Sequence, residues 1–391
     1  MTSNRIVSIT PHFQDFPDPR REHPSKLHKL IDIIVIALCG LLAKCETWDD
    51  IADHAEERAD FFKTLLELPN GIPSHDTITR TFSILDPELW QDYFGTWMKA
   101  QTAVSAEKIR HLQIDGKVLR GSKTTGNGKQ SKQKREAVEI VSAWSSEQQL
   151  VIAQVTVQPG SNEIKAVPAL LEQLDLAGTV VSLDAMGAQQ DTTAAIIQGG
   201  GDYLVALKGN QGRLHQAAQD LFEDVQRDQG RTREVPSQAQ SFDVAHGREE
   251  TRYCFVLRDL EQLQVADCGV ENWGGLRSLI VVKSTRKTQG KTSVETRFFL
   301  CSALWDATTA LARVRGHWSI ENQQHYVLDV VFAEDANRTR RGFAAQNLAV
   351  LRRMALNLLN LETVFSTSKR RQRLKALMSN DYLRLLLGVT A

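Results

Sequence analysis

The chain has 391 residues, of which 42% are apolar and 24% charged, so it is long enough for roughly two or three domains and is neither disordered nor fibrous. Lysine plus arginine and aspartate plus glutamate both number 47, which excludes a uniformly basic nucleic-acid coat protein but not locally basic surfaces. The five cysteines show no C-x-x-C spacing, which argues against a disulfide framework or a zinc site and indicates reduced thiols in the cytoplasm.

Residues 1–103 predict a small helical domain. Four prolines within residues 1–25 indicate an irregular arm. The apolar run Leu30–Ala43 has 14 residues and is interrupted only by Asp32, whereas a bilayer span needs about 20, so it is interpreted as a buried helix. Trp48–Phe62 follows with apolar residues at helical spacing.

Residues 104–335 predict an α/β domain with a mixed sheet. Three strands come first, at Ile109–Leu119, Ala137–Trp144 and Leu150–Gln158, and a short turn joins the last two in an antiparallel meander. Strands then alternate with helices up to about residue 226, which is typical of parallel pairing. A β-rich insertion occupies about 228–304, with strands predicted within Ser241–Leu257 and Ser278–Leu304.

The rest of the chain predicts helices. A long helical segment opens at Asp306 and runs to about Phe332, and the C-terminal region 336–391 contains helices at Ala344–Leu361 and Arg370–Leu387. This region is basic, because Asn337–Lys375 holds ten lysines or arginines and one acid. Lys108–Arg135 is similar, with nine basic residues and one acid. Each basic segment is either a solvated face or a surface that contacts phosphates.

Two aspartates stand at positions that suit chemistry. Asp115 lies among strand-forming residues and precedes Gly116, which leaves room for a ligand. Asp184 ends the apolar strand that begins near Thr179, and α/β sheets bind ligands at such ends. An edge position for Asp115 and a helix cap for Asp184 are the structural alternatives.

A third acid, Glu321, belongs to a polar helix face. His317, Glu321 and His325 are spaced four residues apart and so share one face. They lack the H-E-x-x-H register, and a plain polar face is favoured over zinc. Three carboxylates on separate elements instead suit two Mg²⁺ or Mn²⁺ ions flanking a phosphodiester. The residues therefore predict metal-dependent phosphoryl transfer on nucleic acid.

Several ordered motifs of the chain closely resemble the H-repeat-associated (ISAs-type) DDE transposases of bacterial insertion sequences. The resemblance runs from about residue 10 to 385. The motifs that carry it are Trp48-Asp49-Asp50-Ile51, Gly71-Ile72-Pro73-Ser74-His75-Asp76-Thr77, Ile114-Asp115-Gly116-Lys117-Val118-Leu119-Arg120-Gly121, Ser161-Asn162-Glu163-Ile164, Leu183-Asp184-Ala185-Met186-Gly187, Gly201–Gly212, His246-Gly247-Arg248-Glu249-Glu250, His317-Trp318-Ser319-Ile320-Glu321-Asn322, Leu328-Asp329-Val330 and Glu334-Asp335.

The resemblance implies a ribonuclease-H-like fold, with a transposase-associated helical domain before it and the β-rich insertion ahead of the third acid. It implies that Asp115, Asp184 and Glu321 form the catalytic Asp–Asp–Glu triad and bind the two metal ions. Family members carry His where this chain has Glu139. His317 and Leu328 stand where transposases with a Tyr–Arg–Glu–Lys signature have Arg and Lys.

The interpretation is a DNA transposase of an insertion sequence. Water attacks a phosphodiester at the element end, and the freed 3′-hydroxyl attacks target DNA. The expected partners are double-stranded DNA and further copies of the chain assembled on it, and no membrane is expected to take part. The protein is expected in the cytoplasm, associated with the nucleoid. A non-catalytic, domesticated DNA-binding protein and a simple metal-dependent nuclease are the alternatives. The candidate DNA contacts are Lys117, Arg120, Lys208, Arg315, Arg338, Arg340 and Arg341.

Overall fold

The computed structural model describes residues 6–105, 108, 110–124, 136–228, 236–245 and 247–389. The strands are β1 (His111–Leu119), β2 (Val138–Ser145), β3 (Leu150–Thr156), β4 (Val180–Leu183), β5 (Asp202–Leu207), β6 (Ser237–Ala245), β7 (Arg248–Leu257), β8 (Ser278–Thr288) and β9 (Lys291–Cys301). The helices are α1 (Thr10–Phe13), α2 (Leu30–Leu42), α3 (Trp48–Glu57), α4 (Ala59–Phe62), α5 (His75–Ile84), α6 (Pro87–Ala103), α7 (Glu163–Leu171), α8 (Gln190–Gln198), α9 (Gly212–Asp228), α10 (Glu261–Val265), α11 (Ala307–His317), α12 (Tyr326–Val330), α13 (Ala344–Leu361), α14 (Lys369–Met378) and α15 (Asn380–Leu386).

The chain divides into two compact units. The first unit comprises Met1–Lys108, Gly116–Asn162 and Glu321–Ala391, and the second comprises Ile109–Asp115 and Glu163–Ile320. The division falls within β1, so the strand contributes its first residues to the second unit and its last to the first unit.

The first unit is built around two buried helices. Helix α2 is buried along almost its whole length, which confirms the buried helix predicted over Leu30–Ala43. Its one acid, Asp32, is also buried, and its carboxylate accepts the backbone N–H of Leu68 at 3.3 Å. Helix α13 packs against α2, α5, α6 and β3, so it joins the N-terminal helices to the β2–β3 hairpin.

The N-terminal arm is more regular than its prolines suggest. It contains the short helix α1, and Phe13 and Phe16 pack their rings against Trp90 at centroid distances of 5.0 and 5.4 Å. The apolar contact with α6 therefore orders the segment despite its poor helix-forming composition.

The predicted meander is present in the first unit as an antiparallel pair. Strands β2 and β3 pair from Ile140 with Thr156 to Ser145 with Leu150. The side chain of Asn357 in α13 donates to the carbonyl of Val151 at 2.8 Å and accepts its N–H at 2.9 Å. These bonds satisfy a buried strand that packs under α6 and α13.

The second unit contains a large mixed sheet, as predicted. Its strand order is β1-β4-β5-β9-β8-β7-β6, in which β1, β4 and β5 are parallel and the pairs from β5–β9 onward are antiparallel. Helix α11 covers one face of the antiparallel part, where Ala310, Leu311 and Val314 pack with Cys254, Ile280 and other strand residues.

Two predicted helices differ from the structure. The helix predicted from Asp306 to about Phe332 is interrupted, because α11 ends at His317 and a π-helical turn covers Ile320–His325 before α12. The C-terminal helix splits into α14 and α15, where the Ser379 hydroxyl caps a new helix by accepting the N–H of Tyr382. The strands predicted within Ser241–Leu257 are present as the end of β6 and the whole of β7.

Among the described residues, none of the helices has both the length and the hydropathy that crossing a bilayer requires.

Candidate active site

Asp115 and Asp184 lie at the same level of two neighbouring parallel strands of the second unit, Asp115 within β1 and Asp184 directly after β4. Strands β1 and β4 are in register from His111 with Val180 to Ile114 with Leu183. Asp115 follows Ile114 and Asp184 follows Leu183, so each aspartate comes directly after the last register pair. Both side chains are half-buried. Since register neighbours in parallel strands share a face, this pair of acids is suited to act on one ligand.

The Asp184 carboxylate is held by the turn that follows it. Its Oδ1 accepts the backbone N–H groups of Met186 at 2.9 Å and of Gly187 at 3.0 Å. In the described part of the chain these bonds use Oδ1, so Oδ2 is available to a cation. These bonds close the turn after β4 and are not the helix cap considered from the sequence, because α8 begins at Gln190 and has Gln189 as its N-cap. A carboxylate held in this way is compatible with binding a metal ion.

The loop after Asp184 is braced by the end of the motif Gly201–Gly212. Gly209–Gln211 forms a single 3₁₀ turn after β5. The amide of Asn210 donates to the Ala185 carbonyl at 2.5 Å, and that of Gln211 donates to the Ala188 carbonyl at 3.3 Å. These two side chains thus support the Asp184 loop, a role that the motif spacing did not reveal.

Glu321 lies beside His325 in the first unit. Both belong to the π-helical turn, and Nδ1 of His325 is 3.5 Å from Oε2 of Glu321. Half of the Glu321 side chain is exposed, whereas His325 is 5% exposed. Turns of this kind occur frequently at functional sites. The predicted contact between residues i and i+4 is therefore present, although the helix around it is not an ordinary α-helix.

The donor atoms fit a hard divalent cation. In the second unit the donors are the carboxylates of Asp115 and Asp184, and Oδ2 of Asp184 is available. In the first unit they are the Glu321 carboxylate and the His325 imidazole. Carboxylate oxygens suit Mg²⁺ and Mn²⁺, and an imidazole is tolerated better by Mn²⁺ than by Mg²⁺.

Lys117 has acidic partners in the first unit. Its ammonium is 2.7 Å from Oδ2 of Asp329 and 3.7 Å from Oδ1 of Asp335, and only 8% of its side chain is exposed. The backbone N–H of Arg120 also donates to Asp335, at 3.4 Å. Gly121 must be glycine here, since a Cβ atom would lie 2.1 Å from the Asn337 carbonyl oxygen.

A fully buried ion pair lies next to this cluster. Arg353 donates to Oε1 of Glu334 at 2.9 Å, and neither side chain is exposed. Burial raises the pKa of the Glu334 carboxyl, but the charges of Arg353, Arg352 and Lys117 outweigh that effect, so the pKa lies below its ordinary value. Glu334 and Asp335 of one motif therefore serve the packing of α13 and of the Lys117 segment.

The other candidate DNA contacts are exposed. Arg120, Lys208, Arg338, Arg340 and Arg341 all present their side chains to solvent. Arg315 is also exposed, with a guanidinium nitrogen 3.0 Å from Oδ2 of Asp243. Part of the first basic segment, residues 125–135, lies outside the described residues, as does His246 of a quoted motif.

The second unit places two aspartates at one level of neighbouring parallel strands, and the first unit carries a glutamate beside an imidazole. Together with exposed basic side chains, these are the components of a metal-dependent enzyme of phosphodiester chemistry. The comparison with protein families agrees with this class. Residues 106–358 match the family described as "Transposase DDE domain", and residues 10–98 match the family described as "DDE_Tnp_1-associated". The chain belongs to the DDE transposase family, whose chemistry depends on divalent metal ions.

Two Escherichia coli relatives of similar length support this membership. YhhI of Escherichia coli (strain K12), an H repeat-associated protein named as a transposase, is 37% identical over 387 residues, which cover 98% of each chain. YncI of Escherichia coli O157:H7, also named as a transposase, is 35% identical over 392 residues, which cover 98% of this chain and 95% of YncI. A piggyBac transposase synaptic complex with hairpin DNA aligns over 98% of this chain and 78% of that chain, with 11% identity and a TM-score of 0.40.

Proposed function

We propose that this chain is the transposase of an insertion sequence and that it cuts and joins DNA at the ends of its element. In this proposal, residues 104–335 form a ribonuclease-H-like catalytic domain with its insertion at about 228–304. Residues 1–103 are the associated helical domain, and residues 336–391 are a basic helical region. The enzyme acts in the bacterial cytoplasm on nucleoid DNA, as a homo-oligomer assembled on the element ends.

The proposed catalytic residues are Asp115, Asp184 and Glu321. The observation that carries this assignment is the register of β1 and β4, in which Asp115 and Asp184 each follow the pair Ile114–Leu183. Glu321 contributes a half-exposed carboxylate next to His325. When bound, two Mg²⁺ or Mn²⁺ ions supply Lewis-acid activation of the attacking oxygen and stabilise charge on the leaving oxygen.

The side chains of this chain have separate parts in the reaction. Asp115, Asp184 and Glu321 hold the ions, and the two N–H bonds to Asp184 keep its carboxylate oriented before DNA arrives. Water attacks the phosphodiester at the element end, the P–O bond to the 3′ oxygen breaks, and a 3′-hydroxyl is released. That hydroxyl then attacks a phosphodiester of the target and displaces a second 3′-hydroxyl.

Exposed basic side chains are proposed to hold the DNA backbone during both steps. Arg120, Lys208 and Arg315 are candidates near the strands, and the segment Arg338–Arg341 supplies three more. Phosphate contacts of this kind fix the register of the duplex without reading its sequence. Lys117 as a phosphate contact stays a prediction, and its ammonium would first have to leave Asp329.

Cleavage and joining of a labelled duplex test the proposal. The substrate carries the inverted repeats that flank the gene of this chain, and the target is a supercoiled plasmid. Asp184→Asn is expected to reduce cleavage in Mg²⁺ to background, because it removes a metal ligand. DNA binding should be unchanged or tighter, because a negative charge near phosphate is lost. Asp191→Asn, an exposed aspartate of the same unit, is the matched control and should cleave normally.

The outcomes separate the three functions considered. Cleavage followed by joining to the plasmid supports a transposase, whereas cleavage without joining supports a simple nuclease. Specific binding without cleavage by the unchanged protein supports a non-catalytic DNA-binding protein. Cleavage by Asp184→Asn at the unchanged rate would refute the catalytic assignment of Asp184.

A further inference from the structure

Two consecutive hydrogen bonds link three side chains of the second unit, one each from β1, β4 and α11. Nε2 of His111 is 2.9 Å from the hydroxyl of Ser182, and the same hydroxyl is 2.9 Å from Nδ1 of His317. His111 and Ser182 are each 1% exposed, while His317 is half-buried. These hydrogen bonds therefore link the interior of the sheet to the last residue of α11.

The directions of the two hydrogen bonds are coupled through the Ser182 hydroxyl. Burial, with smaller contributions from the nearby charges of Arg313 and His317, lowers the pKa of His111 to about 3, so its imidazole is neutral near pH 7. A neutral imidazole offers one donor nitrogen and one acceptor, and a serine hydroxyl offers a single proton. If Nε2 of His111 carries the proton, Ser182 accepts from His111 and donates to Nδ1 of His317; if Nε2 is unprotonated, Ser182 donates to His111 and Nδ1 of His317 donates to Ser182.

The end of α11 lies close to His111. A Cβ atom on Gly316 would be 3.2 Å from Nδ1 of His111, so a glycine allows the helix to approach this ring. One or two turns earlier, Ala310, Leu311 and Val314 pack into the apolar core under β7, β8 and β9. Apolar contact thus holds the body of α11, and Ser182 holds its last residue.

Each of the three residues precedes one of the proposed catalytic acids by two or four positions in the sequence. His111 is four residues before Asp115 in β1, and Ser182 is two residues before Asp184 at the end of β4. Even spacing along a strand keeps side chains on one face, so the chain of hydrogen bonds lies on the face that bears both aspartates. His317 is four residues before Glu321.

We propose that Ser182 and His317 are positioning residues for the metal-binding acids. Their hydrogen bond fixes the end of α11 on the strand that ends in Asp184. His317 is thereby held in place, and only residues 318–320 separate it from Glu321. This inference rests on the proposed function, because it assigns a purpose to the hydrogen bonds only if Asp184 and Glu321 bind the metal ions. Residues that orient metal ligands typically change metal affinity or activity about 10- to 100-fold when they are replaced.

Variants at both ends of the Ser182–His317 bond test the proposal. Ser182→Ala and His317→Leu remove it, His317→Asn keeps a polar atom near the position of Nδ1, and Ser182→Cys keeps the volume if the alanine variant does not fold. Ser293→Ala, in an exposed part of β9, is the matched control. Four quantities are measured for the full-length chain: the cleavage rate at saturating Mg²⁺, the half-saturating Mg²⁺ concentration, the rise in Tm caused by Mn²⁺ without DNA, and DNA affinity in Ca²⁺.

Ser182→Ala and His317→Leu should raise the half-saturating Mg²⁺ concentration about 10-fold and shrink the Mn²⁺-dependent rise in Tm. DNA affinity should stay within about twofold, and His317→Asn should recover part of the loss. Unchanged metal dependence, or parallel losses of Tm, cleavage and DNA affinity, would overturn the proposal. If Asp184→Asn is inactive in the same assay and the Ser182 variants bind metal normally, only this inference fails and the proposed function stands.

Discussion

The Lys117 ammonium donates to the Asp329 carboxylate at 2.7 Å, across 212 residues of sequence. Lys117 stands two residues after Asp115 in β1, and Asp329 stands eight residues after Glu321 in α12. The bond thus ties the strand that carries the first proposed acid to the helix that follows the third. Because the lysine is almost completely buried, its charge serves the fold before any ligand binds.

Lys117→Met is therefore expected to destabilise the chain. The substitution keeps most of the apolar stem but leaves Asp329 without its cation, while Asp335 keeps the Arg120 guanidinium at 3.5 Å. Removal of one partner from a fully buried pair costs about 3–5 kcal/mol, and the partial exposure of both aspartates reduces the expected loss to about 1–3 kcal/mol. Urea unfolding measures the loss, with the exposed Lys99→Met as control. Equal stability of the two variants would show that the pair contributes little.

A second prediction concerns stability between pH 7 and pH 5. Burial lowers the pKa of His111 to about 3, and burial with the charge of Arg58 lowers the pKa of His54 to about 4, against 6.5 in the unfolded chain. The unfolded state then binds more protons than the folded state in this window, so the free energy of unfolding falls as the pH falls. Each histidine should cost about 2 kcal/mol by pH 5.

Chemical denaturation at pH 7 and pH 5 checks this expectation. His111→Gln should lose less stability between the two pH values than the unchanged chain, because the glutamine does not titrate. The exposed His23→Gln should lose as much as the unchanged chain. A His111→Gln variant with the full pH dependence would mean that its imidazole accepts a proton in the folded state.

The basic segment after Glu334 gives a third prediction. Replacing Arg338, Arg340 and Arg341 with alanine should weaken binding to every DNA sequence, because phosphate contacts carry no base information. The slope of log K against log salt should fall by about 0.9 for each lost contact. Alanines at the exposed Lys29, Lys63 and Lys99 should leave the slope unchanged. An unchanged slope in the arginine variant would identify the segment as a solvated surface.

The hydrophobic pattern and the turn-forming residues between strands predicted the strand that contains Asp115 and the strand that ends before Asp184. Both signals are local properties of the sequence. Composition also predicted α2 as a buried helix. The π-helical turn at Ile320–His325 gave no comparable signal, since the segment contains no proline or glycine and its helical spacing continues into α12. The sequence therefore predicted one helix where the structure has α11, a π-helical turn and α12.

Pairings between distant residues could not be predicted from one sequence. Lys117 belongs to a basic segment and was assigned to DNA on that composition, whereas its partner Asp329 lies far along the chain. The link from His111 to His317 likewise depends on which strands are neighbours in the sheet. Local spacing determines which face a side chain occupies, but tertiary structure determines what it meets there.

The buried pair of Glu334 and Arg353 carries the last prediction. Glu334→Gln would remove the negative charge that lies between Arg353, Arg352 and Lys117, all of which lower the pKa of this carboxyl. The buried guanidinium of Arg353 would then lack its paired carboxylate, and that of Arg352 would lose the acidic neighbour that acts on it most strongly. The free energy of unfolding should fall by about 3–5 kcal/mol.

The pH dependence of stability that this pair causes is opposite to that of a buried acid whose pKa is raised by burial. Because the pKa of Glu334 is lowered in the folded state, its contribution is present above the unfolded value of 4.5 and is lost as the pH falls through the folded value. Glu334→Gln should therefore lose less stability than the unchanged chain when the pH is lowered below 4.5. The exposed Glu57→Gln serves as the control for both measurements. If Glu334→Gln is as stable as Glu57→Gln at pH 7, the arginines of α13 do not depend on this carboxylate.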